Sequence, residues 1–114
     1  MVDAEGPRPA DPDSQGRVDG SGWTIRVDAD EVGRVLLVRN RRPGDRLAPL
    51  GLGGHKKVQD ILVDRKVARP QRDAVPIVTT GDGRLIWVAG HVMSDDFRVT
   101  ARTTGVITLN LRRI

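Results

Sequence analysis

Arg39, Arg41, Arg42 and Arg46 crowd around Pro43-Gly44-Asp45. A guanidinium is planar and donates two hydrogen bonds at once to a phosphate, so a turn presenting several of them suits a polyanion. On a continuing strand Arg39 and Arg41 share one face. Pro43-Gly44 makes a tight turn that can bring Arg42 and Arg46 near them. Asp45 can neutralise or orient one guanidinium, and the competing reading is an exposed turn with structural Arg–Asp pairing. Further on, Gly51-Leu52-Gly53-Gly54-His55-Lys56-Lys57 has the look of a phosphate loop. It lacks the Ser or Thr that such a loop places after its lysine to ligate a metal. What remains is glycine amides beside a helix start and two lysines, which attract a backbone phosphate, against the plainer reading of a flexible linker and a solvated helix start.

Other chemistries find little support. Without Cys there is no disulfide, thiolate zinc site or Cys nucleophile. His55 and His91 lack a metal-spaced partner and read as surface or hydrogen-bonded side chains. Asp95-Asp96 reads as a turn pair before a strand rather than a magnesium site. Asp60 and Asp64 sit one helical turn apart beside Lys56 and Lys57, as on a helix surface. Ser14, Ser21 and Ser94 have no His–acid arrangement. No catalytic residue and no metal ligand is expected. Trp23, Trp87 and Phe97 are the only aromatic side chains, and all three fall on apolar strand faces. Base stacking on an aromatic platform is therefore not expected, and contact with nucleic acid falls mainly on the backbone.

The charge is unevenly spread. The 114 residues carry net charge +4, yet residues 1–32 hold eight acids and three bases, while residues 33–72 hold eleven bases and three acids. Such a block is the electrostatic footprint of a polyanion site, or else an arginine-rich solvated face. No apolar run reaches the roughly 18 residues that a membrane helix needs.

Elements that must position these residues divide near residue 22. Residues 1–22 are rich in Gly and Pro and poor in apolar side chains, and read as a disordered acidic leader or linker; residues 23–114 read as one domain. Trp23, Ile25 and Val27 alternate with Thr24 and Arg26 as a half-buried strand, followed by a turn over 28–33 and a second strand, Val35–Val38. A helix is expected over Lys56–Lys66, with Val58, Ile61, Leu62 and Arg65 on one face and a Lys56–Asp60 pair. Pro70 limits its extension. Ala74–Thr80 and Arg84–Ala89 flank Gly81-Asp82-Gly83 as a hairpin of central strands. Phe97–Arg102 and Ile107–Arg112 alternate as a second hairpin. The fold class is α+β and β-rich: a small sandwich or barrel-like sheet of about six strands with one or two short helices.

The stretches Val38-Arg39-Asn40-Arg41-Arg42-Pro43-Gly44-Asp45-Arg46, Gly53-Gly54-His55-Lys56-Lys57 through Val67-Ala68-Arg69, Arg72, Pro76 and Ile86-Trp87-Val88-Ala89-Gly90 together resemble the C-terminal domain of tRNA(Ile)-lysidine synthetase, the TilS family. Ala68 stands where that family usually has Pro. The resemblance covers about residues 34–100 and implies a fold similar to a module of the phenylalanyl-tRNA synthetase β chain. The family's enzyme adenylates the wobble cytidine of an isoleucine tRNA with ATP and joins lysine to it. By resemblance, this domain holds tRNA(Ile) near the acceptor stem, in the cytoplasm, while a catalytic domain, in cis or in trans, does the chemistry. That domain's Ser-Gly-Gly-x-Asp-Ser pyrophosphate loop is absent here, so no ligase activity is expected of this chain alone. ATP and magnesium belong to the parent enzyme, and no cofactor is expected here. The expected RNA contacts are Arg39, Arg41, Arg42, Arg46, Lys56, Lys57, Arg65, Lys66, Arg69 and Arg72. The alternative is a structural domain that stabilises a ligase domain without binding RNA itself.

Overall fold

Apolar side chains on both faces of one hairpin and on single faces of its neighbours call for layers on either side of a central sheet. The computed structural model describes residues 1–11 and 23–112. Its strands are β1 (Val2–Pro9), β2 (Thr24–Asp28), β3 (Leu36–Arg39), β4 (Arg46–Leu47), β5 (Lys56–Lys57), β6 (Ile77–Thr80), β7 (Leu85–Val88), β8 (Val92–Met93) and β9 (Gly105–Leu111). The helices are α1 (Ala29–Val32), α2 (Val58–Asp64) and α3 (Arg69–Arg72), with a 3-10 turn over Asp95–Phe97. Three antiparallel sheets have strand orders β1-β9-β2, β3-β6-β7-β8 and β4-β5. The β-rich α+β class stands, with more and shorter strands than expected.

The β6–β7 hairpin is central, as its two-sided apolar pattern requires. Ile77 and Val88 face one apolar cluster with Leu47, Val58, Ile61 and Leu62, under α2. Val78 and Trp87 face another, with Ile25, Val27, Ile107 and Leu109 of the three-stranded sheet. The register slips after Val78, so that Ile86 is the extra residue between Leu85 and Trp87. A bulge of this kind turns two successive side chains to one side, and Ile86 and Trp87 do share a cluster. Among the described residues the indole Nε1 of buried Trp87 has no hydrogen-bond partner, a cost of order 1–3 kcal/mol set against the burial of the ring.

Several expectations need correction. Val2–Pro9 is a strand along β9, not part of an unpacked leader; residues 12–22 of that leader lie outside the described residues. Its side chains are mostly exposed, and what joins it to β9 is the backbone ladder, which hydropathy does not register. Gly6 permits this approach: its φ is +111°, and a β carbon there would lie 2.7 Å from the carbonyl oxygen of Val106. The turn after β2 is α1, capped by Asp28, whose Oδ1 accepts from the amide of Asp30 at 3.0 Å.

No strand forms over 97–102. Ser94 Oγ accepts from the Asp96 amide at 3.2 Å, and Thr103 Oγ1 accepts from the Thr100 amide at 2.9 Å while donating to Asp28 Oδ2 at 2.8 Å. These hydroxyls satisfy the backbone locally, in competition with a ladder. Phe97 is nonetheless core, and β9 pairs with β1 and β2 instead.

Helix α2 starts at Val58, because Lys56 and Lys57 are strand residues. It buries Val58, Ile61 and Leu62, as its periodicity requires, and Arg65 follows at the C-cap, exposed. The helix ends before Pro70 could matter. Lys66 takes φ +57°, its amide bonds to the Val63 carbonyl at 2.9 Å, and the Val67 amide bonds to the Leu62 carbonyl at 3.0 Å. This is a Schellman closure, with Val67 packed back on the apolar cluster. Pro70 then opens the separate turn α3, with Arg69 helical.

Candidate nucleic-acid interface

The basic block runs from the end of β3 through β4, β5 and α2 to α3. Its centre is Asp45. The Asp45 carboxylate accepts from Arg39 Nη1 and Nη2, each at 2.9 Å, and from the Arg42 amide at 2.7 Å. Its backbone amide donates to the Arg42 carbonyl at 3.1 Å, and its carbonyl accepts from the Val58 amide at 2.9 Å. One residue thus ties together the end of β3, the Arg42–Asp45 turn and the start of α2. The side chains of Arg39 and Asp45 retain 19% and 10% of their exposure. Burial alone would push the Asp45 carboxyl up. The Arg39 hydrogen bonds, the Arg42 amide and the two nearby guanidinium charges outweigh it and hold the group below its ordinary value. Arg39 is correspondingly raised, through the same hydrogen bonds.

Around this hinge lies a cleft of about 300 Å³ lined by Arg41, Arg42, Pro43, Gly44, Asp45, Lys57, Val58, Gln59 and Asp73. Arg41 Nε donates to Asp73 Oδ1 at 2.8 Å. Across the β4–β5 ladder, Arg46 stands directly opposite Lys57, and buried Leu47 opposite Lys56. Arg46 and Lys57 therefore share the outward face.

Alternation along β5 sends the two lysines different ways. Lys56 lines a second cleft, of about 320 Å³, with Leu50, Leu52, Asp64, Arg65, His91 and others. There Lys56 pairs with Asp64, not with Asp60, since it precedes the helix. Arg65 Nε donates to His91 Nδ1 at 3.0 Å. Burial, and then the charge of Arg65, lower the pKa of His91. Arg72 Nε donates to the Val67 carbonyl at 3.0 Å. Gly51 lines this second cleft, and α2 starts only at Val58, after Lys57 as its N-cap, so the phosphate-loop comparison ends there.

The ten cations thus split into two groups. Arg39, Arg41, Lys56, Arg65 and Arg72 are engaged with Asp45, Asp73, Asp64, His91 and the Val67 carbonyl. Arg42, Arg46, Lys57, Lys66 and Arg69 extend from exposed positions with no side-chain partner among the described residues. Sequence reasoning missed Asp73 and His91 as anchors. Their partners lie 32 and 26 residues away, with no local signal to join them. Among the described residues no group of acidic or His side chains could hold a metal ion, and no helix is long and apolar enough to cross a membrane.

Residues 36–111 match the family model described as TilS substrate C-terminal domain. A tRNA(Ile)-lysidine synthase from Symbiobacterium thermophilum is 47% identical over 87 residues, which are 76% of this chain and 18% of that protein. The chain thus spans less than a fifth of that relative's length. A crystal structure of a TilS C-terminal domain superposes with a TM-score of 0.79 at 33% identity, covering 96% of this chain and 80% of the other. An N-terminal fragment of the phenylalanyl-tRNA synthetase β subunit from Pyrococcus horikoshii shares the fold, with a TM-score of 0.61 at 18% identity over 75% of this chain and 27% of the other.

Proposed function

The chain belongs to the family of TilS substrate C-terminal domains, and we propose that it docks tRNA(Ile) for lysine transfer catalysed by another domain, in cis or in trans. The observation that carries this reading is the set of exposed cations with no side-chain hydrogen bond or ion pair among the described residues: Arg42 in the turn before β4, Arg46 and Lys57 on the β4–β5 ladder, and Lys66 and Arg69 between α2 and α3. Arg42 and Arg46 offer bidentate forks, and the lysines offer point charges. Arg39, Arg41, Lys56, Arg65 and Arg72 act behind them, shaping the surface or lending a second guanidinium edge. With no exposed aromatic platform, the contacts are to phosphates and to the shape of the RNA. The chemistry of the reaction, with its ATP and magnesium, belongs to the catalytic domain, and the setting is cytoplasmic.

Fluorescence anisotropy of labelled tRNA(Ile), titrated with the chain at two salt concentrations, tests this. Five phosphate contacts make affinity fall by roughly 10²–10³ between about 50 and 200 mM salt. Absence of binding at low salt sinks the reading. It would favour the second reading, a stabilising contact with a ligase domain, for which the exposed apolar Val35, Leu37 and Val38 at and before edge strand β3 speak.

A further inference from the structure

We propose that Arg42, Arg46 and Lys57 form a single phosphate-binding site whose free state is strained by like-charge repulsion, so that an anion both occupies the site and stabilises the fold. The natural ligand, a backbone phosphodiester, rests on the tRNA-docking reading; the geometry does not.

Arg46 and Lys57 are cross-strand partners in a ladder of only two residue pairs. Directly opposed side chains have β carbons about 4.5–5.5 Å apart, and like charges there repel. The ladder cannot slip to relieve this: a shift by one residue would turn buried Leu47 to solvent. Lys57 and Arg42 line the same cleft. The two acids of that cleft are committed elsewhere, Asp45 to Arg39 and the Arg42 amide, and Asp73 to Arg41. Lys57 thus neighbours Arg42 in the cleft and Arg46 across the ladder, and none of the three makes a side-chain hydrogen bond or ion pair among the described residues; Asp45 lies near Arg42 but is held by Arg39.

The backbone positions that carry them are also tied together before any ligand arrives. The turn carrying Arg42 is closed by the bond from the Asp45 amide to the Arg42 carbonyl, and it is tied to β5 and α2 through the bond from the Val58 amide to the Asp45 carbonyl. A tetrahedral oxyanion can accept from both guanidinium forks and the ammonium at once. Binding it offsets the repulsion, against the entropy of ordering three side chains. This distinguishes the site from scattered surface charge, which would gain from a polyanion without being strained in its absence.

Thermal unfolding of the whole chain and of the Arg46→Gln and Lys57→Gln variants, in potassium chloride and in potassium phosphate of equal ionic strength, is the test. In chloride each variant melts higher than the parent, by about 1–5 °C. Phosphate raises the parent's Tm above its chloride value, and either variant loses at least half of that increment. Equal increments in parent and variants overturn the site, whatever phosphate does to the protein in general. Against tRNA(Ile), each variant lowers the salt slope by about 1. Binding of tRNA with an unchanged slope in both variants also overturns the site while leaving docking intact. A phosphate increment lost in the variants of a chain that binds no tRNA supports the site and removes the docking reading.

Discussion

The Arg39–Arg46 turn and the Gly51–Lys57 segment carry the same promise in sequence, glycine beside clustered positive charge, and they fold very differently. In the first, one carboxylate with 10% of its exposure left gathers three donors, and its own backbone closes two more bonds. In the second, the Leu50 amide reaches the Met93 carbonyl and the Leu52 amide the Pro49 carbonyl, both at 3.0 Å, while Leu50 and Leu52 stay exposed. The contrast shows what an acid contributes inside a basic run. Asp45 removes one charge from the surface and in exchange fixes where the others point. The glycine segment holds no acid of its own, and the Asp95 carboxylate reaches only its Gly51 amide, at 3.5 Å, so its glycines give conformational reach with little aim.

The strongest way to break this contrast is Asp45→Ala. It leaves Arg39 nearly buried without its partner and frees the Arg42 amide, costing about 2–3 kcal/mol, or roughly 10–20 °C in Tm. Asp73→Ala removes an acid that is 75% exposed and costs less than about 1 kcal/mol; equal losses in thermal unfolding would erase the distinction. Next comes binding. Arg42→Ala, Arg46→Ala and Lys57→Ala combined weaken tRNA by at least roughly tenfold at moderate salt. Gly51→Ala with Gly53→Ala, at φ +78° and +80°, costs about 1 kcal/mol of stability per site and leaves tRNA affinity within about twofold in the same titration.

A smaller effect of opposite sign is expected at Lys66. Its positive φ is unfavourable for a side chain, so Lys66→Gly stabilises the domain by about 1 kcal/mol in denaturant unfolding, while weakening tRNA binding if the exposed ammonium meets a phosphate. The pH dependence sharpens the comparison last. Because the folded state holds Asp45 below its ordinary pKa of 3.8, its contribution is complete at neutral pH and is lost as pH falls through the lowered value. The stability gap between parent and Asp45→Ala should therefore close in acid. His91 is lowered from 6.5, so stability declines mildly as pH falls below that value, and His91→Ala removes that decline.

Where side-chain pattern and burial agreed, the fold was legible. The alternation of Ile25 and Val27, the two-sided β6–β7 hairpin and the buried face of α2 all follow from it. The pairing of Asp45 with a guanidinium was legible too, since six residues separate it from Arg39. Illegible were the features made by backbone or by distance. β1 is held by a ladder under exposed side chains. The alternating 97–102 segment is folded by hydroxyl caps into turns. Periodicity placed Lys56 and Lys57 on a helix, because a two-residue strand leaves too short a pattern to interrupt it. Of the candidate site, the residue types were legible; which cations were already engaged was not, since Asp73 and His91 come from remote loops.

The order of strands in the β1-β9-β2 sheet bears on synthesis. Its middle strand is made last of the three, so β1 and β2 leave the ribosome with no partner until Gly105–Leu111 follows. The sheet over β3, β6, β7 and β8, with α2 against it, draws only on residues 36–93 and can assemble while translation continues. Closing the other sheet joins residues about a hundred positions apart, as in the pairing of Val2 with Leu111, and such pairings are slow to find. Until then the Ile25 and Val27 face stays open, a nascent-chain interval in which a chaperone, or a neighbouring chain on the same message, can reach it first.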